Sequence, residues 1–151
     1  MIRISHLLSK IFCRKAALSM LEKSILDRVH DHLSMEIRLL WKKQIEAINK
    51  IQRVADGVEV DFYRIKNGQP TFDENLTFPN KSNELLVAEI TISYPTLGTK
   101  TKACVWSVRG FLFSIEYEKS PKILESAFLN KNEDAIMVNC KLMADLEKDV
   151  R

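Results

Sequence analysis

The stretch from Lys102 to Tyr117 constrains the fold more than any other part of the chain. It reads as two β-rich runs joined by Arg109-Gly110. Val, Ile, Phe, Tyr and Trp suit a pleated, half-buried surface, and a two-residue connection containing glycine suits a tight hairpin turn. With those two residues as the loop, the register follows. Val108 stands opposite Phe111, Trp106 opposite Phe113, Cys104 opposite Ile115, and Lys102 opposite Tyr117. That set is expected to face the core. The other set pairs Ser107 with Leu112, Val105 with Ser114 and Ala103 with Glu116, and is expected to face outward.

The segments before the hairpin divide by period. Leu21, Ile25, Val29 and Leu33 recur every four residues and predict a helix over residues 20 to 32. Ser34 suits an N-cap, with Glu36 in the first turn of a second helix that is expected to run to about Val54. Its stripe is Ile37, Leu40, Trp41, Gln44, Ile45, Ile48 and Ile51. Glu46 lies four residues from both Lys42 and Lys50, which marks the opposite face as solvated rather than phosphate-binding. Asp56-Gly57 is expected to end the helix.

From Gly57 the period falls to two. Val58, Val60 and Phe62 alternate with Glu59, Asp61 and Tyr63, and Asn67-Gly68 predicts a hairpin with a return strand cut short by Pro70. Phe72 to Lys81 is a long connection carrying Asp73, Glu74, Asn75 and Asn80, of a length that is often functional. Glu84 to Tyr94 predicts a strand with Leu86, Ala88, Ile90, Ile92 and Tyr94 inward. Pro95 to Gly98 turns the chain into the opening hairpin. Ser120-Pro121 starts a short helix. Ile136 to Leu142 fits a helical stripe, but the alternation of Ile136, Val138, Cys140 and Leu142 favours a strand. The fold class is therefore α+β. Two N-terminal helices pack on a five- or six-stranded antiparallel sheet, with a short helix before the last strand.

Length and charge bound the rest. At 151 residues the chain is one domain, able to bury about two-thirds of its unfolded surface without a disulfide or metal staple. Cys13, Cys104 and Cys140 are odd in number and lack metal-ligand spacing, and no motif for a phosphate, a metal or a cofactor is present. A reducing, cytoplasmic setting is the simplest reading. Residues 1–19 carry Arg3, Lys10, Arg14 and Lys15 and no acid. Removing those four from the 23 Lys and Arg leaves 19 against 20 Asp and Glu, so the body, residues 20–151, is near neutral. The basic charge belongs to this leader, which argues against a nucleic-acid binder. The leader itself has three readings: a docked helix, a membrane-surface segment, or residues upstream of a start at Met20.

The outward face of the sheet carries Glu89, Thr91, Val105, Leu112 and Glu116. Small, partly apolar side chains with two acids suit a protein partner, joined by Asp73 and Glu74 from the long connection, or a second copy of the chain in a homodimer. Glu89 and Glu116 also admit a second reading, a carboxylate pair for acid–base chemistry or small-ligand binding.

The run Val105 to Tyr117, followed by Ser120-Pro121, resembles a pattern in small bacterial toxin-immunity-type proteins. There a strand, a glycine turn and a Phe-Ser-(Ile/Leu)-Glu strand precede a proline. The resemblance covers under a quarter of the chain and carries over no catalytic residue. It implies a non-enzymatic cytoplasmic protein that blocks a partner toxin. The near-neutral body departs from the acidic character expected of an inhibitor of a basic nuclease.

Overall fold

A reciprocal cap starts the first helix. The Ser19 hydroxyl accepts from the Glu22 N–H, and the Glu22 carboxylate accepts from the Ser19 N–H. Helix α1 (Met20–His32) buries Leu21, Ile25, Leu26 and Val29. Leu18 packs against the same core, so residues 18 and 19 belong to the domain rather than to the leader. Ser34 caps α2 (Met35–Ala47) by accepting from the Ile37 N–H. The computed structural model describes residues 17–130 and 135–148, and the reading of residues 1–16 lies outside them.

Helix α2 stops seven residues before the expected point. Ile48 takes an extended conformation, and Lys50–Val54 form strand β1 instead. β-Branched Ile51 and Val54 serve a strand better than a helix end. Asp56-Gly57 then acts as a hairpin turn, not a helix stop, with positive φ at Ala55, Asp56 and Gly57. Strand β2 (Glu59–Tyr63) returns along β1, pairing Lys50 with Tyr63 and Ile51 with Phe62.

Asn67-Gly68, both at positive φ, close the small hairpin of β3 (Ile65–Lys66) and β4 (Gln69–Pro70) as expected. Strands β5 (Leu85–Tyr94), β6 (Thr99–Val108) and β7 (Phe111–Tyr117) form a meander. Helix α3 (Lys122–Leu129) follows, and β8 (Met137–Leu142) is the strand that the alternation favoured. The main sheet runs β1-β2-β7-β6-β5-β8, antiparallel throughout. All three described helices pack on one of its faces. Among the described residues no helix is long and apolar enough to cross a membrane.

The register differs from the expectation beyond the turn. Val108–Phe111 and Ser107–Leu112 pair as predicted, with Arg109 and Gly110 at φ 52° and 88°. A bulge at Phe113 then shifts the ladder by one, so that Trp106 faces Ser114, Val105 faces Ile115 and Ala103 faces Tyr117. The extra residue leaves Ile115 and Tyr117 in the core and Glu116 outward, as expected, although Leu112 before it is not outward as expected. Val105 and Leu112 are fully buried beneath the helices and leave the outward surface assigned to them, because β6 turns its Ala103, Val105 and Ser107 face inward from the turn onward. Trp106 and Cys104 move out of the expected core. In β5, Ala88, Ile90, Ile92 and Tyr94 face inward as expected, but a second bulge at Val87 sets Leu86 opposite Trp106 on the outer face.

Bulk explains the inversion. Trp41 of α2 and Phe78 of the long connection are fully buried and stack with ring centroids 5.9 Å apart. With two large rings supplied from the helix side, the sheet contributes Ala103, Val105 and Ser107 beneath them. Gln44, placed by its spacing in the apolar stripe, is buried too and ties the layers together. Its amide nitrogen donates to the Leu76 and Gly110 carbonyls, and its oxygen accepts from the Leu112 N–H at 2.7 Å. Arg64 extends this network to the Leu112 and Gln44 carbonyls.

Candidate functional site: the open sheet face

The sheet face away from the helices is built from two neighbouring rungs. One runs Glu59, Glu116, Cys104, Glu89, Lys141 across β2, β7, β6, β5 and β8. The next runs Gln52, Asp61, Ser114, Trp106, Leu86. Glu89, Thr91 and Glu116 thus share the outward face, as the sequence indicated. Glu89 and Glu116 stand two strand spacings apart, roughly 10 Å, too far to share a proton. Glu89 instead lies 3.8 Å from the Lys102 ammonium. Cys104 sits between the two acids, and burial followed by those acids pushes its thiol up, away from a reactive thiolate.

The acids that do cluster are Glu59, Asp61 and Glu116. Asp61 is 8% exposed, and its Oδ1 has no hydrogen-bond partner among the described residues. Burial first, then Glu59, then Glu116 push its carboxyl up to about 6. The described residues place no cation in ion-pair contact with the three acids: Lys102 turns to Glu89, and Lys50 lies over the Tyr63 ring at 5.9 Å. They also hold no cluster of His, Cys, Asp and Glu suited to a metal ion.

The sign of the Asp61 shift gives a test. The folded state holds this proton up to about 6, against 3.8 for the ordinary group. The folded state therefore binds more protons than the unfolded chain across that window, and this group's contribution falls as pH rises through it. Well above pH 6 its ionised form costs about 3 kcal/mol. Asp61→Asn is expected to stabilise the domain at pH 7 by that order and to leave it unchanged near pH 3.5. Urea denaturation of both proteins across this range measures the difference, and a gap that does not vary with pH would count against the assignment.

Two clefts open beside these rungs. The smaller, about 190 Å³, is lined by Glu59, Glu116, Trp106, Phe113 and Ser114 among others. The larger, about 590 Å³, is lined by Phe72, Glu74, Arg109 and Phe111. Glu84 and Val108 line both, so the sheet face and the long connection form one surface. Phe113 meets the edge of Tyr63 at 5.8 Å, and Phe72 meets Phe111 at 5.2 Å. Glu74 thus joins the surface, loosely paired with Lys81 at 3.8 Å. Asp73 accepts from the Asn75 N–H and lines a separate cleft beside Arg64. Sequence reasoning missed Trp106 and Phe113, which it assigned to the core, and it gave no role to Glu59, Asp61 and Glu84. The alternation of Glu59 and Asp61 was a visible signal, whereas the choice of which β6 face is buried, which turns Trp106 outward, was not.

Fold and site define an α+β domain with helices on one side and an acid-and-aromatic sheet face on the other. Comparison with protein-family models, with curated proteins and with solved structures finds no match for the chain.

Proposed function

We propose that this chain is a non-enzymatic protein-binding domain whose partner docks on the open sheet face. The supporting observation is the continuity of that face. Aromatic rings of Trp106, Phe113, Phe111 and Phe72 run along it beside Glu59, Glu84, Glu116 and Glu74. Aromatic groups within a polar, charged rim are the composition of interface cores rather than of bulk surface. Its acids favour a partner that presents basic groups. The immunity-type resemblance fits this reading as its finer version, in which the partner is a toxin that the domain blocks. The near-neutral body is then no obstacle, because Glu59, Asp61, Glu84, Glu89 and Glu116 share this one face. A second reading, acid–base catalysis, draws on the Asp61 carboxyl titrating near 6.

Capture from the native host tests the first reading. The baits are the full chain, the chain lacking residues 1–16, and a Glu89→Lys/Glu116→Lys variant with an unchanged circular dichroism spectrum. The expected result is one stoichiometric protein partner, kept without the leader and weakened about 100-fold or more by the charge reversals. A partner held equally by the charge-reversed variant, or no partner on any bait, would overturn the reading.

A further inference from the structure

We infer that the cleft between the end of α2 and the β3–β4 hairpin is a binding site for a carboxylate group, with Arg64 and Lys66 supplying the positive charge and Ile65, Leu76 and Phe111 receiving the apolar body of the ligand. The site shares only Phe111 with the larger cleft of the sheet face and does not rest on the reading of that face.

Arg64 is a buried cation without an anion. It lines the cleft and is 8% exposed. Its Nη1 donates to the Leu112 carbonyl at 3.0 Å, its Nη2 donates to the Gln44 carbonyl at 3.2 Å, and its Cζ stands 5.9 Å from the Phe111 ring centroid. All of these partners are neutral, and the ion pairs of the described residues do not include Arg64. Gln44 lies in the last turn of α2, so its carbonyl carries part of the negative end of the helix dipole. That holds the cation in place without neutralising it. Burying a charge with no counter-charge is costly, and a guanidinium keeps its proton under that cost. Burial pulls its pKa down to about 10, and no acid pulls it back. The charge is delocalised over the whole guanidinium, so an anion in the cleft answers it without reaching the enclosed Nε–H.

The rest of the lining agrees. Lys66 is exposed and forms no ion pair with the described residues. Asp73 is the one acid in the lining, and its Oδ1 accepts from the Asn75 N–H of its own turn. Two cations against one acid leave an excess of a single positive charge. A monoanion matches that excess, whereas a phosphate dianion would meet Asp73 and the negative end of α2. The side-chain amides of Gln44 and Asn49 are engaged with backbone groups, so charge rather than amide pairing selects the ligand. The volume of about 300 Å³ takes one ring or one short side chain.

The ¹⁵N signals of the Arg64 Nε–H and of the Ile65 and Thr71 amides, sequentially assigned in the full chain, read the site. The probes are sodium benzoate, for a free acid, and Nα-acetyl-L-glutamate α-amide, for an acidic side chain of a partner. Each is run beside its neutral counterpart, benzamide or Nα-acetyl-L-glutamine amide, with sodium chloride as the salt control. At least one acid is expected to move these signals saturably with a Kd of about 1 to 10 mM, while the amides and chloride do not. Lys66→Ala, at an exposed position, is expected to weaken the binding about 3-fold, and Asp73→Asn to tighten it by a similar factor. Tighter binding of benzoate assigns the site to a free acid, tighter binding of the glutamate probe assigns it to a partner's side chain, and either upholds it. No saturable movement by either acid up to roughly 50 mM, equal movement by the amides, or an affinity unchanged in both variants would overturn it and leave Arg64 as the cation that holds the end of α2.

Discussion

Gly110→Ala is expected to destabilise the domain by about 3 kcal/mol or more, through overpacking together with backbone strain. Gly110 holds φ at 88°, where an L side chain is strained. A Cβ added there would stand 3.0 Å from the Phe78 carbonyl oxygen and closer still to Thr77 Cγ2. Those atoms cannot yield freely. The Gly110 carbonyl accepts from the Phe78 N–H at 2.9 Å and from the Gln44 amide at 3.0 Å, so the turn is fastened to the connection on one side and to α2 on the other. Gly98 provides the control. It also has positive φ, but an added Cβ there meets nothing within 4 Å. Gly98→Ala is expected to cost about 1 kcal/mol, the backbone term alone. Urea denaturation midpoints of the two variants measure the contrast. Equal losses would mean that the connection does not grip the turn.

Trp41→Ala is expected to cost about 4 kcal/mol, from lost burial plus the cavity left behind. The side chain is fully buried, its indole donates to the Leu26 carbonyl at 3.2 Å, and its ring stacks on Phe78. Removing it takes away the bridge among α1, α2 and the long connection. Against a total stability of about 5 to 15 kcal/mol for a typical domain, the variant would be marginal at room temperature. Trp41→Phe keeps most of the volume and is expected to cost about 1 to 2 kcal/mol, from the lost indole hydrogen bond and the smaller ring. Thermal and urea unfolding of both variants give the comparison. A Trp41→Ala loss below about 2 kcal/mol would show that the site collapses onto Phe78 and closes the cavity.

The partner surface was partly legible. Glu89, Thr91 and Glu116 fall on the outward face because alternation fixes which residues of one strand share a side. Glu74 fell within the connection expected to be functional and does line the larger cleft. Val105 and Leu112 were placed outward and lie in the core. In β6 and β7 both faces carry apolar residues, so hydrophobic pattern alone does not decide between registers. The end of α2 was hidden for a related reason. Ile48 and Ile51 extend a helical stripe as well as they begin a strand.

Local chemistry settled the elements. Ser19, Ser34, Asn67-Gly68, Pro95 to Gly98 and Arg109-Gly110 set caps and turns from their own backbone and side-chain preferences, and the β8 alternation marked a strand. The sequence by itself therefore determined the α+β class, the order of most elements and the site of the hairpin turn. The tertiary structure decided which face of that hairpin is buried. Trp41 and Phe78 come from segments far apart in the chain, and together they fill the space that Trp106 and Phe113 would otherwise occupy. With that volume taken, the smaller set of Ala103, Val105 and Ser107 packs inward, the ladder bulges at Phe113, and Trp106 turns out beside Glu59, Asp61 and Glu116. Close packing across distant segments sets that choice, and a period-two pattern carries no record of it.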